Sequence, residues 1–181
     1  MDESTFLNPA QVIAAAHLTE GMYVADLGAG SGFFARAAAR AVGEKGVVWA
    51  VDVHGDLLPR LKNLAAGEGL LNVEVVQGDV QVAGGSHLPA GAFDLAIAAN
   101  ILFTLEDKHE FAAEIRRILK ASGQAIIIDW TSSHGGLGPH TDHIVPRDAA
   151  AKLFEQAGFT LLRDIPAGQY HWGFVVRKKS A

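Results

Sequence analysis

The sequence predicts an α/β fold: a doubly wound, seven-stranded, mostly parallel sheet with one antiparallel strand in a C-terminal hairpin. Three observations carry that prediction. Short apolar runs alternate with helix-period segments as far as residue 129, and such alternation requires right-handed crossovers between parallel strands. The first five strand segments are nearly continuous Val, Ile, Leu and Ala, the composition of strands covered by helices on both faces. The last two are separated only by "PAGQ", short enough for a hairpin, so they run antiparallel to each other.

The elements follow in order. "NPAQVIAAAHL" reads as a helix, with Asn8 at the N-cap and Pro9 in the first helical position, where its missing N–H costs nothing. "MYVADL" is a strand, and "GFFARAAARAV" an alanine-rich helix ending at Gly43. "GVVWAVDV" is the second strand; "LLPRLKNLAA" is a helix whose Pro59 falls in the first turn and so need not break it. "VEVVQ" and "FDLAIAA" are the third and fourth strands. "DKHEFAAEIRRILK" sets Phe111, Ile115, Ile118 and Leu119 on one side and charges opposite, the clearest helical period in the chain. "QAIIID" is the fifth strand, and "PRDAAAKLFEQAG" a helix entered through Pro146 and closed by Gly158. "FTLLRDI" and "YHWGFVVRK" form the hairpin, whose reversed strand is expected at the far end of the sheet.

Composition narrows the function. At 181 residues the chain suits one domain with a full core. No apolar run approaches the roughly 20 residues that span a bilayer, and "MDESTFLNPA" lacks the basic start of a signal peptide. Cysteine is absent, which excludes disulfides and thiolate chemistry and is compatible with a reducing cytoplasm. A net charge of −5 weighs against nucleic acid as a partner.

The segment "VADLGAGSGFF" holds the chemistry. In an open α/β sheet the ligand lies at the carboxyl ends of the strands, and this turn follows the first of them. Gly28, Gly30 and Gly32 give G-x-G-x-G rather than the G-x-G-x-x-G of a dinucleotide site, which counts against a nicotinamide dehydrogenase. Asp26 precedes them; a carboxylate there repels a pyrophosphate and favours an ammonium group. Asp52 ends the second strand, where a carboxylate can accept both hydroxyls of a ribose. Asp79 lies just past the third strand, within reach of an exocyclic purine amine. The three acids converge on one crevice.

"VADLGAGSG", "VWAVDV", "VVQGDV" and "FDLAIAAN", followed by "ILKASGQAIIIDW", resemble the successive motifs of the class I S-adenosylmethionine-dependent methyltransferases, over residues 8–178. The resemblance implies that fold, with S-adenosyl-L-methionine as cofactor and a small-molecule methyl acceptor. It also implies a single domain over 1–181: an N-terminal helix (1–20), a cofactor-binding core (21–130), then a substrate-facing loop, helix and hairpin (131–181). Carried over residue by residue, Gly28, Ala29, Gly30 and Gly32 would pass the methionine part, and Asp26 would engage its amino group. Asp52 would hold the ribose, Val53 would pack on the adenine, and Asp79 with Val80 would meet the adenine amine. Asn100 would lie near the sulfonium.

A base is needed only if the acceptor must lose a proton. Candidates lie at and after the fifth strand: Asp129, His140 and His143, with His134 in the same loop. The compact H-x-x-H of His140 and His143 lacks the i, i+4 geometry that brings two imidazoles together on a helix, so no metal is expected. Asn100 begins "NILF" rather than an N-P-P-Y type motif, which argues against methylation of base amines. Two alternatives stay open: a methyltransferase acting on RNA or protein, and a non-catalytic methyltransferase-like subunit.

Overall fold

The computed structural model describes residues 6–180 except 134, 135 and 137. His134 therefore lies outside the described residues. The chain runs α1 (Pro9–Ala15), β1 (Tyr23–Leu27), α2 (Phe33–Val42), β2 (Val47–Asp52), α3 (Leu57–Gly67) and β3 (Val73–Gln77). It continues β4 (Phe93–Ala99), α4 (Lys108–Ile118), β5 (Leu119–Trp130), α5 (Arg147–Gln156), β6 (Phe159–Asp164) and β7 (His171–Lys178). The seven strands form one sheet in the order β3-β2-β1-β4-β5-β7-β6. β7 runs antiparallel to both neighbours, and every other pairing is parallel.

Two helices, α1 and α4, start at a side-chain cap. Asn8 Oδ1 accepts the amides of Ala10 and Gln11, and Asp107 Oδ1 accepts those of His109 and Glu110. Each cap satisfies N–H groups that have no partner within the helix. Apolar spacing then sets the buried faces. Phe34, Ala35, Ala38, Ala39 and Val42 of α2 pack with α1 and α3 on one side of the sheet. Phe111, Ala112, Ile115 and Ile118 of α4 pack with α5 on the other. Both faces of the central strands are thereby dry, which explains their continuous apolar sequence.

Two details differ from the sequence reading. The helix expected to reach Lys120 stops at Ile118, and β5 has 12 residues rather than the six of "QAIIID". The carbonyls of Arg117 and Ile118 are taken by the amides of Gly91 and Ala92, and Leu119 pairs with Phe93, so the chain goes straight from helix to sheet. The reversed strand is also one place in from the edge. β7 inserts between β5 and β6, leaving β6 outermost. Period and propensity specify a hairpin, but not which of its arms pairs with the rest of the sheet.

Candidate functional site

Strand order reverses between β1 and β4: from β1 the chain steps outward to β2 and β3, then returns to β4 on the other side. A crevice opens at the carboxyl ends of the strands at such a point. The glycine turn sits in it. Both the Gly28 and Ala29 amides donate to the carbonyl of Val51, at 2.8 and 3.0 Å, closing the turn onto β2. Gly28, Gly30 and Gly32 all have positive φ (78°, 50° and 74°), a region that costs other residues energy. Their surroundings differ. A Cβ on Gly28 would meet Ile101 at 2.4 Å and one on Gly32 would meet Leu61 at 2.4 Å, while Gly30 has nothing within 4 Å. Gly28 and Gly32 serve close packing, and Gly30 faces open space.

Asp52 organises the turn. Its Oδ2 accepts the Gly30 amide at 2.8 Å, and its Oδ1 accepts the His54 amide at 2.9 Å with His54 Nδ1 at 3.1 Å. The sequence reading gave this carboxylate a ligand alone. Here it also fixes the glycine loop, and Oδ2 keeps a further lone pair. Asp79 is similar: its Oδ1 accepts the Gln81 amide at 2.9 Å.

Two clefts meet at this point. One, of about 310 Å³, is lined by Gly28, Asp52, Val53, His54, Asp79, Val80, Gln81 and Asn100, among others. The second, of about 500 Å³, is lined by Leu7, Pro9, Asp26, Gly28, Ala29, Gly30, Phe33, Phe34, Ala99 and Asn100. Gly28 and Asn100 belong to both, so the clefts form one bent groove with these residues at the bend. Every sequence-predicted cofactor residue lines it except Gly32, which packs α2 on α3. Val53 stands 54% exposed at the mouth of the first cleft, an apolar side chain with nothing over it.

Gln81 was missed by the sequence reading. It lines the first cleft, and its Oε1 accepts the amides of Glu106 and Asp107 at 2.6 and 3.1 Å, tying the loop after β3 to the start of α4. No pattern in a single sequence announces such a bond. Glu114 has a comparable task beneath that loop. It is buried and accepts the amides of Gly84 and Ser86, the Ser86 hydroxyl and the Arg117 guanidinium. Burial opposes its ionisation, but these donors outweigh it and lower its pKa from 4.5 to about 2.

Two acceptors in the second cleft lack partners among the described residues. Asp26 is 2% exposed, and its Oδ2 is buried without a hydrogen bond. Burial raises its pKa from 3.8 to about 7, with the Ala35 amide opposing and the Asp52 charge reinforcing the shift. Asn100 has φ +57°, rare for a side-chain-bearing residue, and its Oδ1 is likewise buried and unbonded. Its amide donates to Ile128, which pins the strained residue between β4 and β5. Among the described residues, no Lys, Arg or His lines the cleft that holds both.

The three base candidates are not gathered in one place. Asp129 is 1% exposed at the end of β5 and lines neither arm of the groove. Burial raises its pKa to about 6, against the opposing amides of Trp130, Phe103 and Leu102 and the Lys108 charge. His140 is exposed and pairs with Asp142 at 3.2 Å. His143 lines a separate cavity of about 410 Å³, which shares Thr104 and Leu105 with the first cleft. Among the described residues, no cluster of three or more His, Asp or Glu could hold a metal ion. None of their helices is long and apolar enough to cross a membrane.

A family model described as a methyltransferase domain matches residues 24–123. The chain is 26% identical over 158 residues to the ubiquinone/menaquinone biosynthesis C-methyltransferase UbiE of Neisseria meningitidis, covering 87% of this chain and 61% of that protein. It is 26% identical over 122 residues to the protein of the same name in Paraburkholderia phymatum, covering 67% and 49%. The chain thus spans about half to three fifths of these curated relatives. A crystal structure of an S-adenosylmethionine-dependent methyltransferase from Aquifex aeolicus superposes with a TM-score of 0.85 at 28% identity, covering 95% of this chain and 90% of that one.

Proposed function

The chain belongs to the methyltransferase domain family, with the class I S-adenosylmethionine-dependent fold, and we propose that it methylates a small-molecule acceptor by in-line displacement. One observation carries the reading. Among the described residues, Asp26 Oδ2 and Asn100 Oδ1 are buried acceptors without partners, beside the glycine turn, in a cleft that no Lys, Arg or His lines. Buried acceptors of that kind are costly unless a donor meets them. An ammonium brings three N–H donors and the missing positive charge; a pyrophosphate brings neither. The residues therefore fit a cationic, adenosine-bearing group.

Asp26 and the Gly28–Gly30 backbone would hold the aminoacyl end. Asp52 would hold the ribose hydroxyls, with Oδ2 offering its remaining lone pair, Val53 would pack on the adenine, and Asp79 with Val80 would meet the adenine amine. When bound, S-adenosylmethionine supplies a methyl already activated on a sulfonium. The protein's task is alignment and exclusion of water, which can account for roughly 7–11 kcal/mol of the barrier. Asn100, fixed at the bend by its Ile128 bond, borders the place where acceptor and cofactor meet. Where the acceptor must lose a proton, His143 is the candidate with access, through the cavity that adjoins the groove at Thr104 and Leu105. The relatives' printed names point to carbon as one kind of acceptor atom, and the apolar lining from Leu7, Pro9 and Phe33 suits a partly apolar molecule.

The test has two stages. Calorimetry with S-adenosylhomocysteine should give one saturable site per chain, and turnover should then appear on a panel of small phenolic and quinol-like acceptors. Absence of binding would sink the cofactor reading. Binding with no turnover on small acceptors, but methylation of RNA or protein, would replace the acceptor class.

A further inference from the structure

We propose that Asp26 is a proton-for-ammonium exchange site: in the free protein its carboxyl shares its place with a proton, and the ammonium of the bound ligand displaces that proton into solvent. The inference rests on the cofactor reading above and concerns how that ligand is held. The chemistry balances simply. The O–H bond of the neutral carboxyl breaks, the proton leaves to buffer, and the carboxylate pairs with an ammonium that keeps its own three protons.

The surroundings of Asp26 lead to this. Its side chain is almost wholly buried, and one oxygen has no partner. From β2 the ionisable group acting on it is Asp52, a like charge, to which His54 is bound. β4 presents Ile97 beside it in register and the neutral Asn100 at its end. α2 contributes the Ala35 amide; its Arg36 is engaged with Glu68. Among the described residues, the N-terminal segment brings Leu7 and Pro9 to the cleft. An acid buried beside another acid, with no cation among the described residues that line its cleft, holds its proton near neutrality, and burial does raise its pKa to about 7. A ligand cation supplies the one interaction the site lacks, and so pulls the pKa back down.

The experiment is calorimetry on the full chain in pairs of buffers with different ionisation enthalpies, using S-adenosylhomocysteine and, in parallel, 5′-methylthioadenosine, which has the nucleoside without the amino-acid part. With a free pKa of about 7, S-adenosylhomocysteine should release about 0.9 proton at pH 6, about 0.5 at pH 7 and about 0.1 at pH 8. Its dissociation constant should tighten about tenfold from pH 6 to pH 8. 5′-Methylthioadenosine should release none. Release should persist in His54→Gln, which removes the imidazole on Asp52. Binding of S-adenosylhomocysteine without proton release overturns the proposal, and so does release with both ligands or its disappearance in His54→Gln. If neither ligand binds, the cofactor reading itself has failed, a different outcome from any of these.

Discussion

The glycine turn gives a sharp contrast between two substitutions that look alike in sequence. Both Gly30 and Gly32 hold positive φ, so alanine at either incurs the left-handed penalty of about 1–2 kcal/mol. At Gly30 that is all the free protein feels, because an added Cβ meets nothing within 4 Å. At Gly32 the same methyl lands 2.4 Å from Leu61 Cγ, a residue only 1% exposed, and forces α2 off α3. Overpacking of this kind adds about 1–3 kcal/mol, for a total of about 2–5. At about 2–4 °C per kcal/mol for a domain of this size, Gly30→Ala lowers Tm by about 2–8 °C and Gly32→Ala by about 4–20 °C. Ligand affinity should order them the other way. The Gly30 methyl takes up space in the groove that Gly30 lines, so S-adenosylhomocysteine should bind about 10- to 150-fold more weakly, a loss of about 1.4–3 kcal/mol. Folded Gly32→Ala should bind nearly as wild type. Thermal melts and calorimetry on the two variants decide it. If Gly30→Ala binds normally, or both variants lose stability equally, the division into a packing glycine and a ligand-facing glycine is wrong.

Asp52→Ala should weaken S-adenosylhomocysteine binding by about 10- to 150-fold, the worth of charged hydrogen bonds of about 1.5–3 kcal/mol; an unchanged dissociation constant would remove Asp52 from the ribose. Asn100→Ala should lower turnover more than cofactor affinity, and equal losses in kinetics and calorimetry would count against its place beside the acceptor. Glu114 has a folded pKa of about 2 against 4.5 in the unfolded chain. It therefore contributes about 3 kcal/mol above pH 4.5 that is lost as pH falls toward 2, and acid titrations of Glu114→Gln should lack that slope. Asp26→Asn should gain about 2–3 kcal/mol of unliganded stability relative to wild type between pH 5 and pH 8, while its affinity for S-adenosylhomocysteine falls; chemical denaturation at the two pH values measures the first.

Much of this site could be read without coordinates because its logic is local. Strand, glycine turn and helix follow one another in the chain, and Asp26, Asp52, Asp79 and Asn100 each sit at or just beyond the end of a strand. Parallel strands align their carboxyl ends, so convergence of those residues follows from the alternation itself. What the sequence hid were bonds between distant segments of chain. Gln81 reaching the amides of Glu106 and Asp107, or Glu114 gripping the loop at Gly84 and Ser86, depends on the distance between two loops rather than on any periodicity. Asp129 shows the same limit from the other side. Its place at a strand end made it a base candidate, yet such a position gives no measure of depth, and the residue is 1% exposed.

Asp26 ties stability to function. Its folded pKa of about 7 lies above the 3.8 of the ordinary carboxyl, so the native chain binds a proton that the unfolded chain has released. By linkage, its contribution is intact below pH 3.8 and declines as pH rises through 7, a loss of up to about 4 kcal/mol without ligand. Against a usual total of about 5–15 kcal/mol that is a large concession for one side chain. A neutral residue there would fold more firmly but would offer an ammonium no opposite charge. Glu114, buried as deeply, shows that this fold can satisfy a carboxylate completely when its role is only to hold a loop. The contrast between the two acids, one fully bonded and one with an oxygen open among the described residues, is the contrast between holding a loop and the cation-binding role proposed for Asp26.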